Sequence, residues 1–211
     1  MNYQMECEYM NKNGIESKIQ IKPSAFLNPV PVVMVTCGTM ERSNIITLAW
    51  AGTVNSEPPM LSISVRKERY SHDIIKNDGV FAVNLVSEEL VRATDYCGVK
   101  SGREIDKFSE LHLTKIPGEK TGVPLIAESP ASLECRVKEV MELGSHDLFL
   151  AEIENVVVAK TLFDETGAID LRKANLVAYN HGEYYALGDF LGFYGYSVAG
   201  QDALNRRMRK N

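Results

Sequence analysis

The sequence predicts a mainly β protein, mostly antiparallel, folded as a barrel or sandwich with short helical insertions. Three observations carry this. About six or seven short segments rich in Val, Ile and Leu either alternate in polarity or run apolar between Gly and Pro breaks. Helical patterns are few and short. Strands and helices do not alternate regularly, which disfavours a Rossmann sheet.

Residues 1–15 are polar and read as a loose arm. Residues 30–38, VPVVMVTCG, form a β-branched run expected to be a buried strand, and 45–54, IITLAWAGTV, a second. The Glu57-Pro58-Pro59 segment punctuates the latter. In 61–65, Leu61, Ile63 and Val65 face one way and Ser62 and Ser64 the other. Residues 80–85, VFAVNL, alternate again. Leu133, Cys135 and Val137 are interleaved with Glu134, Arg136 and Lys138, which predicts a strand with one wet face. Residues 146–158 form a long apolar strand, after a turn supplied by Gly144 and Ser145. The strands fall into two groups, before residue 86 and after residue 130.

A short helix opens at Ser71-His72-Asp73, with Ser71 as its N-cap, and stops near Gly79. A second covers 88–97, with Gly98 ending it, and 104–111 is a weaker candidate. Gly188, Gly192 and Gly195 read as a flexible C-terminal segment over 189–211. The whole chain, 1–211, is expected to be a single domain.

The chain has 211 residues, 45% of them hydrophobic and 24% charged, enough to bury a core without disulfide or metal staples. Its net charge of -5 disfavours a general nucleic-acid binder. Cys7, Cys37, Cys97 and Cys135 form no CxxC pair, so zinc-ribbon and thioredoxin-type readings fail on spacing. Scattered thiols, no signal-peptide pattern and no long apolar span predict a cytoplasmic protein without membrane association. GxGxxG, GxxxxGK[ST] and GxSxG are absent. His72, His112, His146 and His181 lie far apart, at no metal-ligand spacing, so no metal is expected.

Four stretches could bear chemistry. SISVRKERYSHD, residues 62–73, leaves a strand with Ser62 and Ser64 on one face. It then delivers Arg66, Lys67 and Arg69 and reaches Ser71 at a helix start. Hydroxyls, cations and free helix N–H groups together suit a phosphate. The plain alternative is a solvated charged turn. NIITLAW, residues 44–50, joins Asn44, Thr47 and the sole tryptophan, Trp50, which could contact a planar ring or be a core residue. KSGREIDKF, residues 100–108, flanks a Ser-Gly turn with Lys100 and Arg103. GSHD, residues 144–147, places His146 at the mouth of a strand, where a histidine is commonly structural.

In this order, and followed by the aromatic tail YNHGEYYALG, these stretches resemble the flavin-reductase-like, flavoredoxin-type family of the FMN-binding split barrel. The resemblance runs from about residue 28 to 188. It implies a mostly antiparallel, Greek-key-like split β-barrel and a homodimer with FMN at the subunit interface. It also implies FMN contacts at Asn44, Thr47, Leu48, Ala49, Trp50, Ser64, Val65, Arg66, Ser71, Lys107, His146 and Tyr179. The implied activity is that of an FMN-dependent oxidoreductase or electron carrier. NADH or NADPH would be the donor, and free flavin, ferric iron or a redox-protein partner the acceptor. No protein acid or base is obligatory, so no catalytic residue is assigned. The alternative on the same fold is a non-catalytic flavin- or haem-binding module, with His146 or His181 as haem ligand. Oxidation of a pyridoxal-type vitamer, also known on this barrel, fits the motif order less well. Arg66→Ala with Ser71→Ala is expected to weaken FMN retention.

Overall fold

The computed structural model describes residues 18–208; the expected N-terminal arm, residues 1–15, lies outside them. Strands β1 (Val30–Pro31), β2 (Val33–Gly38), β3 (Ser43–Leu48), β4 (Ala51–Ser56) and β5 (Pro59–Arg66) precede helix α1 (Tyr70–Asp78) and β6 (Val80–Leu85). Helices α2 (Val91–Val99) and α3 (Lys107–Glu110) lead to β7 (Lys115–Pro117) and β8 (Pro124–Ile126). The long strands β9 (Ala131–Glu142) and β10 (His146–Val158) follow, then β11 (Val177–Asn180), β12 (Glu183–Ala186) and helix α4 (Gln201–Met208). The protein is mainly β with short helices, as expected.

One seven-stranded sheet has the order β3-β2-β6-β9-β10-β5-β4, with every neighbouring pair antiparallel. Its two edge strands, β3 and β4, are joined only by Ala49 and Trp50. A link that short forces the sheet to curl until its edges approach, so the barrel is closed in shape but split in hydrogen bonding. The Ser64 amide donates to the Trp50 carbonyl at 2.9 Å, which extends the β4–β5 ladder to the edge of this seam. Inside the curl, Val33, Val35, Ile46, Leu61, Ile63, Val65, Phe81 and Phe149 form one buried cluster. Outside it, Val32, Met34 and Ile45 pack with Leu90, Cys97, Phe108 and Val177, so α2, α3 and the small sheet β1-β11-β12 cover one wall.

The β5 alternation is as expected: Leu61, Ile63 and Val65 are buried and point inward. Six expectations are corrected. The 45–54 run is two strands, because the chain crosses the barrel seam at Ala49–Trp50. Ser71 is not the N-cap of α1; Arg69 is, and Ser71 lies buried in the first turn. The helix expected over 88–97 is a 3-10 turn (Glu88–Leu90) followed by α2, which runs past Gly98 to Val99. The helix expected over 104–111 shrinks to α3, whose start is capped by the Asp106 carboxylate accepting from the Phe108 and Ser109 amides. The β9 face expected to be wet is dry at Glu134, which is fully buried beneath the segment 119–121. Nor do the strands stay in two groups: β6 pairs with β9, and β7 and β8 fall between them in sequence. Gly79, with φ of +68°, caps α1 in the left-handed conformation that a side chain would resist.

Cys37, Cys97 and Cys135 are free and buried, and burial pushes their thiols up to about 11, 11 and 12. They stay protonated at neutral pH and are poor nucleophiles. No helix among the described residues is long and apolar enough to cross a membrane.

Candidate functional site

Three adjoining spaces form one cleft along the barrel seam. The widest, about 610 Å³, is lined by Leu27, Asn28, Thr47, Ala49, Trp50, Asp95, Gly98, Tyr179, His181 and Tyr184, with Arg66 and Arg69 at one end. A groove of about 150 Å³ continues from it, walled by Ile46, Leu48, Trp50, Ser64, Arg66, Arg69 and His146. A third space, about 220 Å³, is lined by Asn44, Arg69, Ser71, Lys100, Ser101, Gly102, Arg103 and Lys107, with Glu68 as its one carboxylate. Arg69 lines all three.

The cationic end is built by two turns that meet. The β5–α1 turn supplies Arg69 and the start of α1, which no side chain caps. Helix starts leave their first N–H groups without intrahelical acceptors, so this end of α1 favours an anion. The turn after α2 supplies Lys100, Ser101 and Arg103. Arg103 donates to the Glu68 carbonyl at 3.1 Å and lies over the Tyr70 ring, 5.4 Å from its centroid, which pins the two turns together. Asn44 donates to the Ser71 hydroxyl at 2.8 Å beneath them. Gly102 sits directly on the Asn44 amide, and a Cβ there would come within 2.0 Å of Asn44 Oδ1. Gly102→Ala is therefore expected to displace Asn44, costing about 1–3 kcal/mol of stability in a denaturant melt and loosening the anion end.

The sequence-expected residues fall into three groups. Ala49, Trp50, Ser64, Arg66, His146 and Tyr179 line the wide cleft or the groove and present side chains there. Thr47 also lines it, with its hydroxyl donating to the Thr94 carbonyl. Leu48 and Val65 point into the barrel core; Leu48 still borders the groove, and Val65 lines none of the three spaces. Asn44, Ser71 and Lys107 are buried. The Lys107 ammonium donates to the Ile45 and Cys97 carbonyls at 2.6 and 2.7 Å, and burial holds its pKa below the usual lysine range. In this arrangement it ties α3 to β3 and α2.

Trp50 is 47% exposed, and its ring lies 4.7 Å from the His146 ring. Burial, then the nearby Arg66 charge, lowers the His146 pKa, while Glu68 opposes the shift. Imidazolium quenches indole emission more than neutral imidazole does. Because Trp50 is the only tryptophan, emission is expected to fall on acidification with a midpoint below about 6.5, the ordinary histidine value. His146→Ala is expected to abolish that titration.

Several residues were not assigned from sequence. The charged turn was visible as RKERYS, but nothing ranked Arg69 above Arg66. The Tyr184 hydroxyl donates to Asp95 at 3.2 Å across the wide cleft. Those two residues are 89 apart in the chain, and no local pattern joins them. No group of three or more His, Cys, Asp or Glu side chains among the described residues is placed to hold a metal.

The donor set fits a flat ligand ending in a phosphate. Exposed guanidinium and ammonium groups, Ser101 and an uncapped helix start lie at one end, and Trp50 and a roomy aromatic-lined cleft at the other.

Comparison with known proteins agrees. Residues 26–188 match the model of the flavin reductase like domain. The flavoredoxin of Desulfovibrio vulgaris (Miyazaki F) is 32% identical with a TM-score of 0.79, covering 86% of this chain and 100% of that one. The flavoredoxin of Methanosarcina acetivorans is also 32% identical, with a TM-score of 0.77, covering 86% of this chain and 99% of that one. An uncharacterized protein of Archaeoglobus fulgidus is 34% identical over 131 residues, 62% of this chain and 73% of that one. The chain belongs to the flavin-reductase-like family, a split-barrel family of FMN-binding oxidoreductases and electron-transfer flavoproteins.

Proposed function

We propose that this chain is an oxidoreductase that holds FMN along the barrel seam, with the phosphate at the Arg69–Arg103 end and the ring beside Trp50. The observation that carries the reading is the continuity of the cleft: Arg69 borders the cationic end, the groove and the wide space alike. The likeness to two flavoredoxins supports the same choice.

When bound, FMN supplies hydride acceptance and one- or two-electron transfer. The chain's residues bind and orient it. Trp50 and His146, their rings tilted 39° to each other, make an aromatic wall, and Ala49, Thr47 and Ser64 border the ring and the ribityl chain. Asn44 and Ser71 hold the floor under the phosphate, and Lys107 braces β3 behind it. Arg66 stands at the junction of groove and wide space. Tyr179 and Tyr184, 5.5 Å apart edge to face, form the far wall, where a nicotinamide ring could lie against the flavin.

The donor in this reading is NADH or NADPH. The acceptor is free flavin, ferric iron or a redox protein. We place the chain as one domain and a homodimer. Exposed Leu27, Trp50, Val54 and Val99 around the seam support a second copy there, since large apolar rims mark interfaces. The test is nucleotide oxidation with and without added FMN. Oxidation that depends on FMN is expected. No oxidation with either nucleotide would remove the reductase form and leave a carrier fed by another protein.

A further inference from the structure

We infer that Asp147 is a positioning residue for the phosphate end of the cleft: a buried carboxylate that fixes the turn bearing Arg66, Arg69 and Ser71 without touching the ligand. The inference rests on the FMN reading above.

Asp147 is 0% exposed and lines none of the three spaces. Its neighbour His146 faces Trp50 in the groove, and strand alternation sends Asp147 the other way. There it gathers the β5–α1 turn. His72 Nε2 lies 2.9 Å from Asp147 Oδ2, Lys67 Nζ 3.3 Å from Oδ1, and Lys76 Nζ 3.5 Å from Oδ2. Lys67 and Lys76 also reach Glu142, at 3.1 and 3.6 Å. His72 is held on its other side by Asp73, 2.9 Å from Nδ1, and its ring meets Phe149 edge-on at 5.6 Å in the barrel core.

The partners are placed tellingly in sequence. Lys67 follows Arg66, and His72 follows Ser71. Both ends of the 67–72 segment are thus tied to one carboxylate, and Arg69 lies between the ties. The exposed Arg69 side chain has its backbone set by these anchors; its amide donates to the Arg66 carbonyl at 3.1 Å, and its carbonyl accepts from the His72 amide at 3.0 Å. Burial alone would raise the Asp147 pKa, but the His72 hydrogen bond and the adjacent Lys67 ammonium outweigh it and keep the carboxyl below the usual aspartate range. The anchor is therefore ionised at neutral pH.

A sign separates positioning from simple charge. Asp147→Asn removes a negative charge near an anion site, which by through-space electrostatics alone would tighten FMN. Loss of the anchor weakens it instead. The experiment titrates wild type, Asp147→Asn and His72→Gln with FMN and with riboflavin, which lacks the phosphate, after thermal melts confirm folding. The expected result is FMN affinity weakened about tenfold by Asp147→Asn and about threefold by His72→Gln, with riboflavin affinity within about twofold of wild type in both. Unchanged or tighter FMN binding, or equal losses for both flavins, would overturn the inference. If Asp147→Asn does not fold, His72→Gln decides by the same comparison. A wild type that does not prefer FMN over riboflavin would overturn the FMN reading and this inference together. A wild type that prefers FMN, with variants that retain the preference, would overturn this inference alone.

Discussion

Arg69→Ala combined with Arg103→Ala is expected to weaken FMN binding by about a hundredfold while leaving riboflavin within about threefold. These side chains are the two guanidinium groups lining the space where the two turns meet over Asn44 and Ser71. Charge-assisted contacts from a guanidinium to a phosphate are about twice as strong as neutral ones, and removing both leaves Lys100 as the exposed cation lining that space. Arg103 also anchors Glu68 and covers Tyr70, so its loss frees the turn that carries Arg69. The two losses should therefore couple rather than add. Parallel fluorescence titrations with the two flavins check this. Equal losses for both would show that the phosphate lies elsewhere. Arg66→Ala with Ser71→Ala should act more weakly on the phosphate, because Arg66 borders the groove and Ser71 is buried against Asn44.

The second large effect is on stability. Glu134→Ala is expected to cost about 3–5 kcal/mol, read as a shifted denaturant midpoint. The Glu134 carboxylate accepts from the Glu119, Lys120 and Thr121 amides at 3.0, 2.9 and 2.8 Å. It also accepts from the Thr121 hydroxyl at 2.9 Å and the Asn155 amide at 2.8 Å. Truncation would strip this group of donors of its acceptor and free the β7–β8 hairpin from β9. Hydrogen exchange at 119–121 should rise to solvent-like rates in the variant. Burial would raise the Glu134 pKa, but hydrogen bonds from Asn155 and Thr121, followed by the Lys120 amide, outweigh it and lower the value. With the folded pKa depressed, this stabilisation is present above the unfolded value near about 4.3 and is lost as pH falls through the folded one. Glu134→Gln should flatten stability across that acid window.

Much of the fold was legible because β-strand alternation is local. Leu61, Ile63 and Val65 on one face of β5 needed no tertiary information, and the limits of β6 and β10 follow from Gly and turn signals. What was hidden depends on long-range geometry. The continuous apolar run through Ala49 and Trp50 gives no sign of a seam, because the break comes from barrel closure and not from a breaker residue. Glu134 reads as solvent-facing from its neighbours, since the segment that buries it lies 13 to 15 positions earlier. Ser71 satisfies the sequence rule for a cap, yet Asn44 from β3 claims its hydroxyl. In the site, the cationic turns were visible as RKERYS and KSGR, but their meeting at Tyr70 was not. Asp95–Tyr184 and His72–Asp147 are pairs that only the folded chain brings together.

The most direct measurement of the central claim is a titration of the purified protein with FMN, followed by visible absorption and by Trp50 emission. The account predicts a shifted, structured flavin band and quenched emission that saturate together, because the ring lies beside the sole tryptophan. An FMN spectrum unchanged by the protein, with Trp50 emission unaffected, would contradict it.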